Sequence, residues 1–528
     1  MNRSAEHRVR RLQEQGERGL LAGSRLGLEK ESLRVSRDGR IAQTPHPAGL
    51  GSALCHAEIT TDYSEALLEF VTPAFVDGGE ALRRLRELHR YTVEQIGDEL
   101  LWATSMPCIV GGDKSIPIAE YGHSNIGRMK HIYRHGLDWR YGRSMQAIAG
   151  IHFNYSFSEG FLRAVQAREG DARGFAAFRS DFYFRLIRNF QRYGWLLPYL
   201  TGASPAICKS FTGGRNLDFE SFSEHTYYAP YATSLRMSDI GYKNNAQAAL
   251  AISYNDLDSY IRSLRAAIST PDPEYARIGT RVDGQWRQLN SNVLQIENEY
   301  YSFVRPKAGA RSGEPPSHAL RRAGVEYVEI RALDLNPFDP VGIDADQIAF
   351  LETLLLFCLL EDSPPIDALE QQHINANQGL VARHGRDPAL TLYRGNGDRI
   401  GLRRWAGELL EAMQAPAELL DEIHQDGRYS RILKTYADAV ADAGATPSAR
   451  VLAEMRERGE EFVEFALRVS AEHARAVRAW PLEPASRARL RTAAQRSLDE
   501  QAALEAADEL PFERFLADYL ARQSTSGS

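Results

Sequence analysis

Short segments in which apolar and polar residues alternate characterise the first 340 residues of the chain. Between residues 148 and 157, every second residue from Ala149 to Phe157 is apolar, and His152 and Asn154 lie on the opposite face. Residues 66–72 and 327–333 predict two further strands. Alternation with one covered face is typical of an antiparallel sheet. An Asp-Gly pair within residues 281–286 predicts a tight hairpin.

Helical periodicity is found beside these strands and takes over after residue 340. Residues 80–102 and 126–137 carry apolar side chains at helical spacing, as do 348–360, 403–412, 449–471 and 485–507. The pattern predicts an α+β fold with a sheet-bearing catalytic region, 1–340, and a helical region, 341–528, packed on it. We expect one continuous domain, and a true boundary near 341 is the alternative.

Composition limits the classes of function. The chain has 528 residues, 43% hydrophobic and 25% charged, with a net charge of −7. These values are typical of a globular protein and do not favour nucleic-acid binding. Four cysteines at 55, 108, 208 and 358 form no C-x-x-C pair, and no apolar run reaches the length of a membrane span. We therefore expect a cytoplasmic protein with reduced thiols and no membrane or nucleic-acid partner.

The segment 27–34 is the first candidate for chemistry. As a strand it places Glu29 and Glu31 on one face, about 7 Å apart. Two carboxylates at that spacing can hold hard cations between them. A solvent-facing edge strand is the alternative, because glutamates are common there.

Further acids and one histidine lie on other strand-like segments. A buried carboxylate without a partner costs several kcal/mol or takes up a proton, so several converging acids would need cations between them. Oxygen ligands favour Mg²⁺ or Mn²⁺ over Zn²⁺. For the histidine the alternative is a hydrogen-bonded core residue, and for each acid a salt bridge or a wet surface. The set consists of Glu29, Glu31, Asp62, Glu69, His152 and Glu329.

One arginine belongs to the same hypothesis. Arg331 lies two residues from Glu329, so both point to one face of the strand. A guanidinium fork suits a carboxylate or phosphate oxygen, and an ion pair with one of the acids is the alternative. The sequence contains neither a P-loop nor a strand-borne G-x-G-x-x-G. A nucleotide would therefore be held by metals and basic side chains.

Several motifs in order resemble those of proteobacterial glutamate–cysteine ligases. The similarity extends from roughly residue 18 to 360 and continues more loosely to the C-terminus. Lys30 and Ser32 depart from the Arg and Thr of the family pattern, and both point away from the acid face. The segments that carry the resemblance are 27–34, 59–70, 124–128, 202–206, 290–299 and 326–331.

The resemblance implies a glutamine synthetase-like fold, with an antiparallel sheet curved into a funnel and metals on its inner face. It also implies a reaction: ATP converts the γ-carboxylate of L-glutamate into an acyl phosphate, which the amine of L-cysteine attacks to give γ-glutamylcysteine, ADP and phosphate. That is the first step of glutathione biosynthesis. A monomer inhibited by glutathione is the implied form of the enzyme.

The resemblance also implies roles for single residues. The six residues of the acid and histidine set would be metal ligands, with Mg²⁺ as the ion and Mn²⁺ as the alternative. Arg331, with Glu329 beside it, would contact the transferred phosphate, and Gln146 would lie near glutamate. Arg134 and Arg236 would be further anion contacts. The walls of the cysteine pocket would be Tyr133, Tyr242 and Tyr301. In a regular strand, Tyr301 would share a face with Glu297 and Glu299.

Three other functions remain open at this point. Another γ-glutamyl or amino-acid amine ligase would differ only in its acceptor pocket. A metal-dependent hydrolase could use the same acids to activate water. The third is a non-catalytic, metal-stabilised binding protein, which would convert no substrate.

Overall fold

The computed structural model describes residues 4–14, 16–214, 218–241, 250–311, 313–395 and 397–524. Within them the strands are β1 (Arg25–Val35), β2 (Ile59–Thr61), β3 (Leu67–Val71), β4 (Leu100–Leu101), β5 (Ile151–Ser156), β6 (Ala206–Cys208), β7 (Glu220–Ser221), β8 (Thr226–Tyr228), β9 (Arg281–Val282), β10 (Gln285–Trp286), β11 (Val304–Lys307), β12 (Tyr327–Leu333), β13 (Thr391–Arg394) and β14 (Asp398–Gly401).

The principal sheet has the order β11-β12-β5-β1-β3-β2, and the short strand β4 also pairs with β1. Every pair in it is antiparallel, as the alternating pattern predicts. β1 is the longest strand and lies in the middle, so its side chains meet those of β3 and β5 on either side. This places the segment that carries Glu29 and Glu31 at the centre of the sheet, which excludes the edge-strand alternative.

Helices cover the sheet and form most of the second half of the chain. Their bounds are Ser4–Glu14, Gly78–Gln95, Asn125–Tyr141, Glu159–Glu169, Phe175–Tyr193, Leu196–Thr201, Leu257–Ser269, Pro273–Ile278, Pro316–Ala323, Ala345–Leu360, Ala368–His384, Leu402–Ala412, Gln414–His424, Arg428–Ala441, Pro447–Arg458, Phe462–Ala479, Pro484–Ala507 and Phe512–Ser524. Among the residues that the structure describes, no helix combines the length and apolar character that a membrane span requires.

The face of β1 opposite to the two glutamates is covered by the helix Gly78–Gln95. Lys30 is buried there, and its Nζ lies 2.7 Å from Nε2 of His89 on that helix. Burial lowers the pKa of Lys30 to about 7. Because the strand alternates, sealing Lys30 against this helix fixes the orientation of Glu29 and Glu31 towards the other face.

The helical region packs on the sheet-bearing region at many places, including these two. Every side chain from Gln347 to Leu360 is buried, and this helix packs against Phe175–Tyr193. At the C-terminus, Phe512 and Leu516 join a small apolar cluster with Met129 and Ile132 of the helix Asn125–Tyr141. The helix that borders the site described below is therefore braced from behind by the last helix of the chain.

Most predicted elements are present, but the helix predicted over 449–471 is divided in two at Gly459, and the helix predicted over 80–102 is shorter. The predicted hairpin is β9–β10, and positive φ angles at Asp283 (51°) and Gly284 (79°) fit a type I′ turn. The helix predicted over 80–102 ends at Gln95, because the chain turns through Gly97, with φ of 60°, into β4. A mixed fold with an antiparallel sheet and many helices is confirmed.

Candidate functional site

The register of the central strands brings the candidate ligands onto one face. Glu29 on β1 lies opposite His152 on β5, and Glu31 lies opposite Glu69 on β3. Glu329 on β12 lies opposite Asn154, two residues along β5 from His152. Directly opposite residues have Cβ atoms about 4.5–5.5 Å apart. Antiparallel pairing therefore collects side chains that are 300 residues apart in sequence.

His152 is the centre of this group. Its Nδ1 lies 2.9 Å from Oε2 of Glu29 and 4.0 Å from Oε1 of Glu329, and its Nε2 lies 3.7 Å from Oε1 of Glu31. The side chain is buried, and Nε2 has no hydrogen-bond partner among the described residues. Asn154 donates to the other oxygen of Glu29 at 2.9 Å, and Gly150 N–H donates to Glu31 at 2.7 Å.

Glu329 lies between this group and two cations. Its carboxylate is 3.2 Å from Lys307 Nζ and 3.2 Å from Arg331 Nη1, and its side chain is 2% exposed. Burial raises the pKa of Glu329, but the charges of Lys307 and Arg331 outweigh burial and hold that pKa well below its ordinary value. Glu329 is therefore a stable carboxylate even in the absence of metal.

Glu69 is in the opposite situation. Burial raises its pKa well above the ordinary value, and the negative charges of Glu29, Asp62 and Glu31 raise it further. Burial also raises the pKa of Glu31. The cluster thus divides into a part around Glu329, where Lys307 and Arg331 favour the ionised carboxylate, and a part around Glu69, where burial and neighbouring carboxylates favour the protonated form.

The donor set fits a hard divalent cation. One ligand atom from each of Glu29, His152 and Glu329 can be chosen so that all lie within 4.8 Å of one another. Opposite ligands of an octahedral Mg²⁺ are about 4.2 Å apart, so a small rotation of these side chains is enough. The unpartnered Nε2 of His152 beside Glu31 offers a second coordinating position. Carboxylate oxygens with one imidazole are ligands of Mg²⁺ or Mn²⁺.

A pocket opens beside this cluster, and it contains both acids and cations. Glu31 and Asp62 are the acids that line it, and Arg134, Arg236 and Arg331 are the cations. The remaining lining residues are Tyr63, Tyr133, Leu137, Met145, Gln146, Ile148, Gly241, Asn298 and Tyr301. Three guanidinium groups that converge next to a cation-binding cluster suit a ligand with several anionic groups.

Arg236 is fixed in the wall of this pocket. The residue is 1% exposed, and its Nη2 donates to the carbonyl of Arg331 at 3.1 Å. A Cβ at position 150 would lie 2.0 Å from Nη2, so only glycine lets β5 approach the guanidinium this closely. The contact with the backbone of Arg331 lies at a β-bulge between Ile330 and Leu333. Bulges often occur near active sites, where they re-aim side chains, and this one includes Arg331.

Arg134 comes from the helix Asn125–Tyr141. Its Nε donates to the carbonyl of Asp62 at 2.6 Å, and its guanidinium lies 4.7 Å from the centre of the Tyr121 ring. Tyr121 OH donates to the carbonyl oxygens of Thr61 and Asp62 at 2.9 and 3.0 Å. The end of β2 and this helix are thereby joined at Asp62, which fixes one side of the pocket.

Tyr301 and Gln146 meet across the pocket. Tyr301 OH donates to Oε1 of Gln146 at 2.9 Å. Residues 297–299 form a 3-10 turn followed by extended chain, so the rule that Tyr301 shares a face with Glu297 and Glu299 does not hold. Glu297 accepts hydrogen bonds from Ser317 instead. Tyr301 lines the pocket, although the regular strand assumed from the sequence is absent at residues 297–299.

The loop before Tyr301 is clamped by a buried ion pair. Arg140 Nη1 and Glu299 Oε1 are 3.1 Å apart, and both side chains are fully buried. Glu299 also accepts from Tyr141 OH at 2.7 Å and from Gln295 N–H at 2.7 Å. Each charge is thus surrounded by partners, and the pair fixes residues 288–299 on the helix that carries Arg134.

Replacing Glu299 by Gln should destabilise the protein strongly. The substitution leaves the Arg140 guanidinium buried without its counter-charge, which typically costs about 3–5 kcal/mol. Urea unfolding of both proteins measures the difference. Glu513→Gln is the matched control, because its pair with Arg281 is half exposed (54% and 49%) and is worth about 0–1 kcal/mol. If Glu299→Gln and Glu513→Gln lost equal free energies of unfolding, the buried ion pair between Arg140 and Glu299 would not stabilise the fold as proposed.

The structure brings together all but one of the residues singled out in the sequence. Tyr242 lies outside the described residues. The sequence does not identify Lys307 and Asn154, which contact Glu329 and Glu29. Asn154 shares the polar face of β5 with His152, and this alternation could have identified it from the sequence. For Lys307 only the pairing of β11 with β12 reveals the contact.

Comparison with known proteins gives one consistent group of matches. A family model described as glutamate-cysteine ligase matches residues 9–381. Glutamate–cysteine ligases of Alcanivorax borkumensis and Azotobacter vinelandii are 49% and 51% identical to the chain, over 97% and 99% of it and 99% of each relative. The crystal structure of glutamate–cysteine ligase from Francisella tularensis in complex with AMP superposes with a TM-score of 0.89 at 36% identity, covering 94% of this chain and 97% of that one.

Proposed function

This chain belongs to the glutamate–cysteine ligase family, and from that premise we propose how its own residues perform the reaction. The enzyme joins L-glutamate to L-cysteine at the expense of ATP, the first step of glutathione biosynthesis. A carboxylate is a poor acyl donor, because its leaving group would be oxide. Phosphorylation of the γ-carboxylate of glutamate supplies a better leaving group, and the amine of cysteine then displaces phosphate.

The observation that carries this proposal is the pocket described above. Arg134, Arg236 and Arg331 line one pocket with Glu31 and Asp62, next to the His152 cluster. Transfer of a phosphoryl group between two anions requires positioning and neutralisation of charge. A pocket that is lined by both cations and cation-binding acids provides both.

We propose that Arg331 contacts the transferring phosphoryl group. Its guanidinium is 3.2 Å from Glu329, and its backbone carbonyl is held by Arg236. Glu329 and the bulge would therefore orient the guanidinium group of Arg331 before the substrate binds. A guanidinium can donate two parallel hydrogen bonds to phosphoryl oxygens, which a single ammonium group cannot do in the same geometry.

We propose Mg²⁺ as the cation, with Mn²⁺ as the alternative. Glu29, His152 and Glu329 would hold one ion, and Glu31, Glu69 and Asp62 would supply the ligands on the other side of the imidazole. When bound, the cation neutralises phosphate oxygens and polarises the bond to the transferred group. The chain's own contribution is to keep Glu29 and Glu329 ionised, through the His152–Glu29 bond and the charges of Lys307 and Arg331.

The amino acids would occupy the part of the pocket that is lined by Gln146, Tyr133 and Tyr301. We propose that Gln146 contacts glutamate and that the two tyrosines border cysteine, with Tyr242 as a further wall. The hydrogen bond from Tyr301 to Gln146 would link the two amino-acid positions. Arg134 and Arg236 would pair with substrate carboxylates.

Tyr301→Phe should weaken amino-acid binding selectively. Loss of one hydroxyl that bonds to Gln146 removes about 0.5–1.5 kcal/mol, so the KM for cysteine should rise roughly 3- to 10-fold while the KM for ATP stays near its wild-type value. Steady-state kinetics with each substrate varied in turn measures both. Tyr231→Phe serves as the control, because that ring is 46% exposed and does not line the pocket. An equal rise for ATP and cysteine would refute the assignment.

Several broader features are proposed on the same basis. We propose that the ligand-bearing face of the sheet is the inner face of a glutamine synthetase-like funnel, since β1, β3, β5 and β12 all direct polar side chains to it. Residues 341–528 would form one continuous domain with residues 1–340, supported by a shared hydrophobic core. A cytoplasmic monomer with glutathione as feedback inhibitor is the form that the family resemblance favours.

One assay tests the proposed function against its alternatives. Phosphate release from ATP should require both L-glutamate and L-cysteine and should yield γ-glutamylcysteine in equal amount. Turnover with another amine in place of cysteine, at higher kcat/KM, would indicate a different γ-glutamyl ligase. Hydrolysis without ATP would indicate a metal-dependent hydrolase. If no combination of ATP and amino acids were turned over, the chain would be a binding protein.

A further inference from the structure

Two histidines lie one turn apart on the helix Asn125–Tyr141, outside the cluster around His152. The Nε2 atoms of His131 and His135 are 3.1 Å apart, and their ring centroids are 4.7 Å apart with an interplanar angle of 78°. Residues four apart share one helix face. Both side chains are partly exposed, so this face can be reached from solvent.

The orientation of His131 is fixed from its other nitrogen. Nδ1 lies 2.8 Å from the carbonyl oxygen of Ala119, and a carbonyl can only accept, so Nδ1 carries the proton. With that proton on Nδ1, Nε2 presents its lone pair towards His135. A carboxylate oxygen of Glu120 lies 3.8 Å from the same Nδ1. Histidine ligands of metals are usually held in this way, by a carbonyl or carboxylate on the far nitrogen.

The geometry points to a binding site for a divalent transition-metal ion at His131 and His135, and we propose Zn²⁺ as its representative occupant. Two Zn–N bonds of about 2.0–2.1 Å at a tetrahedral angle place the nitrogens roughly 3.3 Å apart. The two nitrogens are therefore already close to the separation that the ion requires. Imidazole nitrogen favours Zn²⁺, Cu²⁺ or Ni²⁺, whereas the carboxylate cluster around His152 suits Mg²⁺ or Mn²⁺.

The surroundings of His135 support the same chemistry. Burial, then the neighbouring His131 and Arg143, lower the pKa of His135, so the ring is neutral and available as a ligand at neutral pH. Asp138 lies one turn further along the helix and interacts with His135 electrostatically. Its carboxylate is paired with Arg143 Nε at 2.8 Å, so solvent would complete the coordination.

Without metal the two rings share a proton in an N–H···N hydrogen bond, so proton and metal compete for one position. The site lies on the helix that supplies Tyr133 and Arg134 to the pocket. A bound ion would link two consecutive turns of that helix, between residues 131 and 135. The proposal concerns metal binding alone and does not depend on which reaction the pocket performs.

Zn²⁺ titration of the full chain in saturating Mg²⁺, read with a chromophoric zinc indicator, tests the site. His135→Asn is the decisive variant, because it removes one ligand and keeps the bond between His131 and Ala119. We expect it to bind one equivalent of Zn²⁺ fewer than wild type, or to bind that equivalent roughly 100-fold more weakly. His123→Asn is the matched control, because its exposed side chain lies just before the same helix, and it should bind as wild type does.

A spectroscopic measurement on the wild-type chain keeps the test independent of the stability of the variant. With Cu²⁺ as the probe, electron paramagnetic resonance should show coupling to two imidazole nitrogens, which the single histidine of the acid cluster cannot provide. The two-nitrogen signal should disappear in His135→Asn and persist in His123→Asn. Equal Zn²⁺ stoichiometry and affinity in wild type and His135→Asn, or a Cu²⁺ signal from one nitrogen only, would overturn the proposal.

Discussion

Replacing Arg331 by Lys should lower kcat by roughly 100-fold or more and change substrate KM values far less. The substitution keeps one positive charge beside Glu329 but removes the planar fork that can donate two hydrogen bonds to a phosphoryl group. Contacts that form only in the transition state act on kcat, and the loss of one preorganised donor typically costs 10²–10³-fold. The carbonyl of residue 331 still accepts from Arg236 in the variant, so the strand should keep its path.

The measurement is steady-state phosphate release at saturating ATP, glutamate and cysteine. Arg322→Lys is the control for the same chemical change at a surface pair, since Arg322 bonds Glu314 and its side chain is 37% exposed. That variant should retain wild-type kcat. If Arg331→Lys also retained near-normal kcat, Arg331 would be only the ion-pair partner of Glu329.

Local patterns predict much of this fold because the sheet is antiparallel and half covered. The alternation in β5 and β12 predicts both strands, and β12 has the predicted bounds Tyr327–Leu333. What the patterns miss depends on tertiary contacts. The helix pattern over 449–471 is interrupted by Gly459, whose φ of 65° ends one helix before Phe462–Ala479 begins. The two-residue strand β4 exists only because it pairs with the end of β1.

The site is predictable to the extent that chemistry is visible in single strands. Acids among apolar residues indicate the ligand set, and the order of the motifs indicates its family. Convergence cannot be read from sequence, because it depends on which strands are neighbours. Lys307 becomes a partner of Glu329 only through the pairing of β11 with β12. The β-bulge that includes Arg331 is not indicated by any local feature of the sequence.

The structure also changes the electrostatic interpretation of the cluster. Sequence reasoning treats its acids as equivalent and equally strained without metal. In the structure Glu329 has Lys307 and Arg331 as counter-charges, whereas Glu69 faces other carboxylates. The pKa values of these two glutamates move in opposite directions for that reason. Relief of strain by neutralisation is therefore expected at Glu69 and not at Glu329.

Without metal, Glu69→Gln should be at least as stable as wild type. The folded state raises the pKa of Glu69, so between about pH 4.5 and the raised pKa the folded chain keeps a proton that the unfolded chain releases. Wild-type stability therefore falls as pH rises through that window. The stability of Glu69→Gln does not fall for this reason, because glutamine does not titrate. In EDTA the advantage of the variant should be absent below about pH 4.5 and should grow above it.

Glu329→Gln should behave in the opposite way, which makes it the matched variant. Lowering of the Glu329 pKa contributes stability that is present above about pH 4.5 and is lost as pH falls through the folded pKa. At pH 7 in EDTA this variant should lose roughly 1–3 kcal/mol, because Lys307 and Arg331 lose a buried acceptor. Its deficit should shrink below about pH 4.5, where the unfolded wild-type chain takes up a proton at Glu329 that the folded chain does not.

Adding Mg²⁺ then distinguishes ligands from neighbours. An ion that binds only the folded state adds RT ln(1 + [L]/Kd), or about 2.7 kcal/mol at 100 times Kd. Both variants should gain less than wild type from the same Mg²⁺ concentration, and both should lose most of their activity. Melting curves of wild type and both variants, in EDTA and in Mg²⁺, measure these differences in stability. A full wild-type response to Mg²⁺ in Glu69→Gln or in Glu329→Gln would remove that residue from the ligand set, because a carboxylate that coordinates the ion cannot be neutralised without weakening its binding.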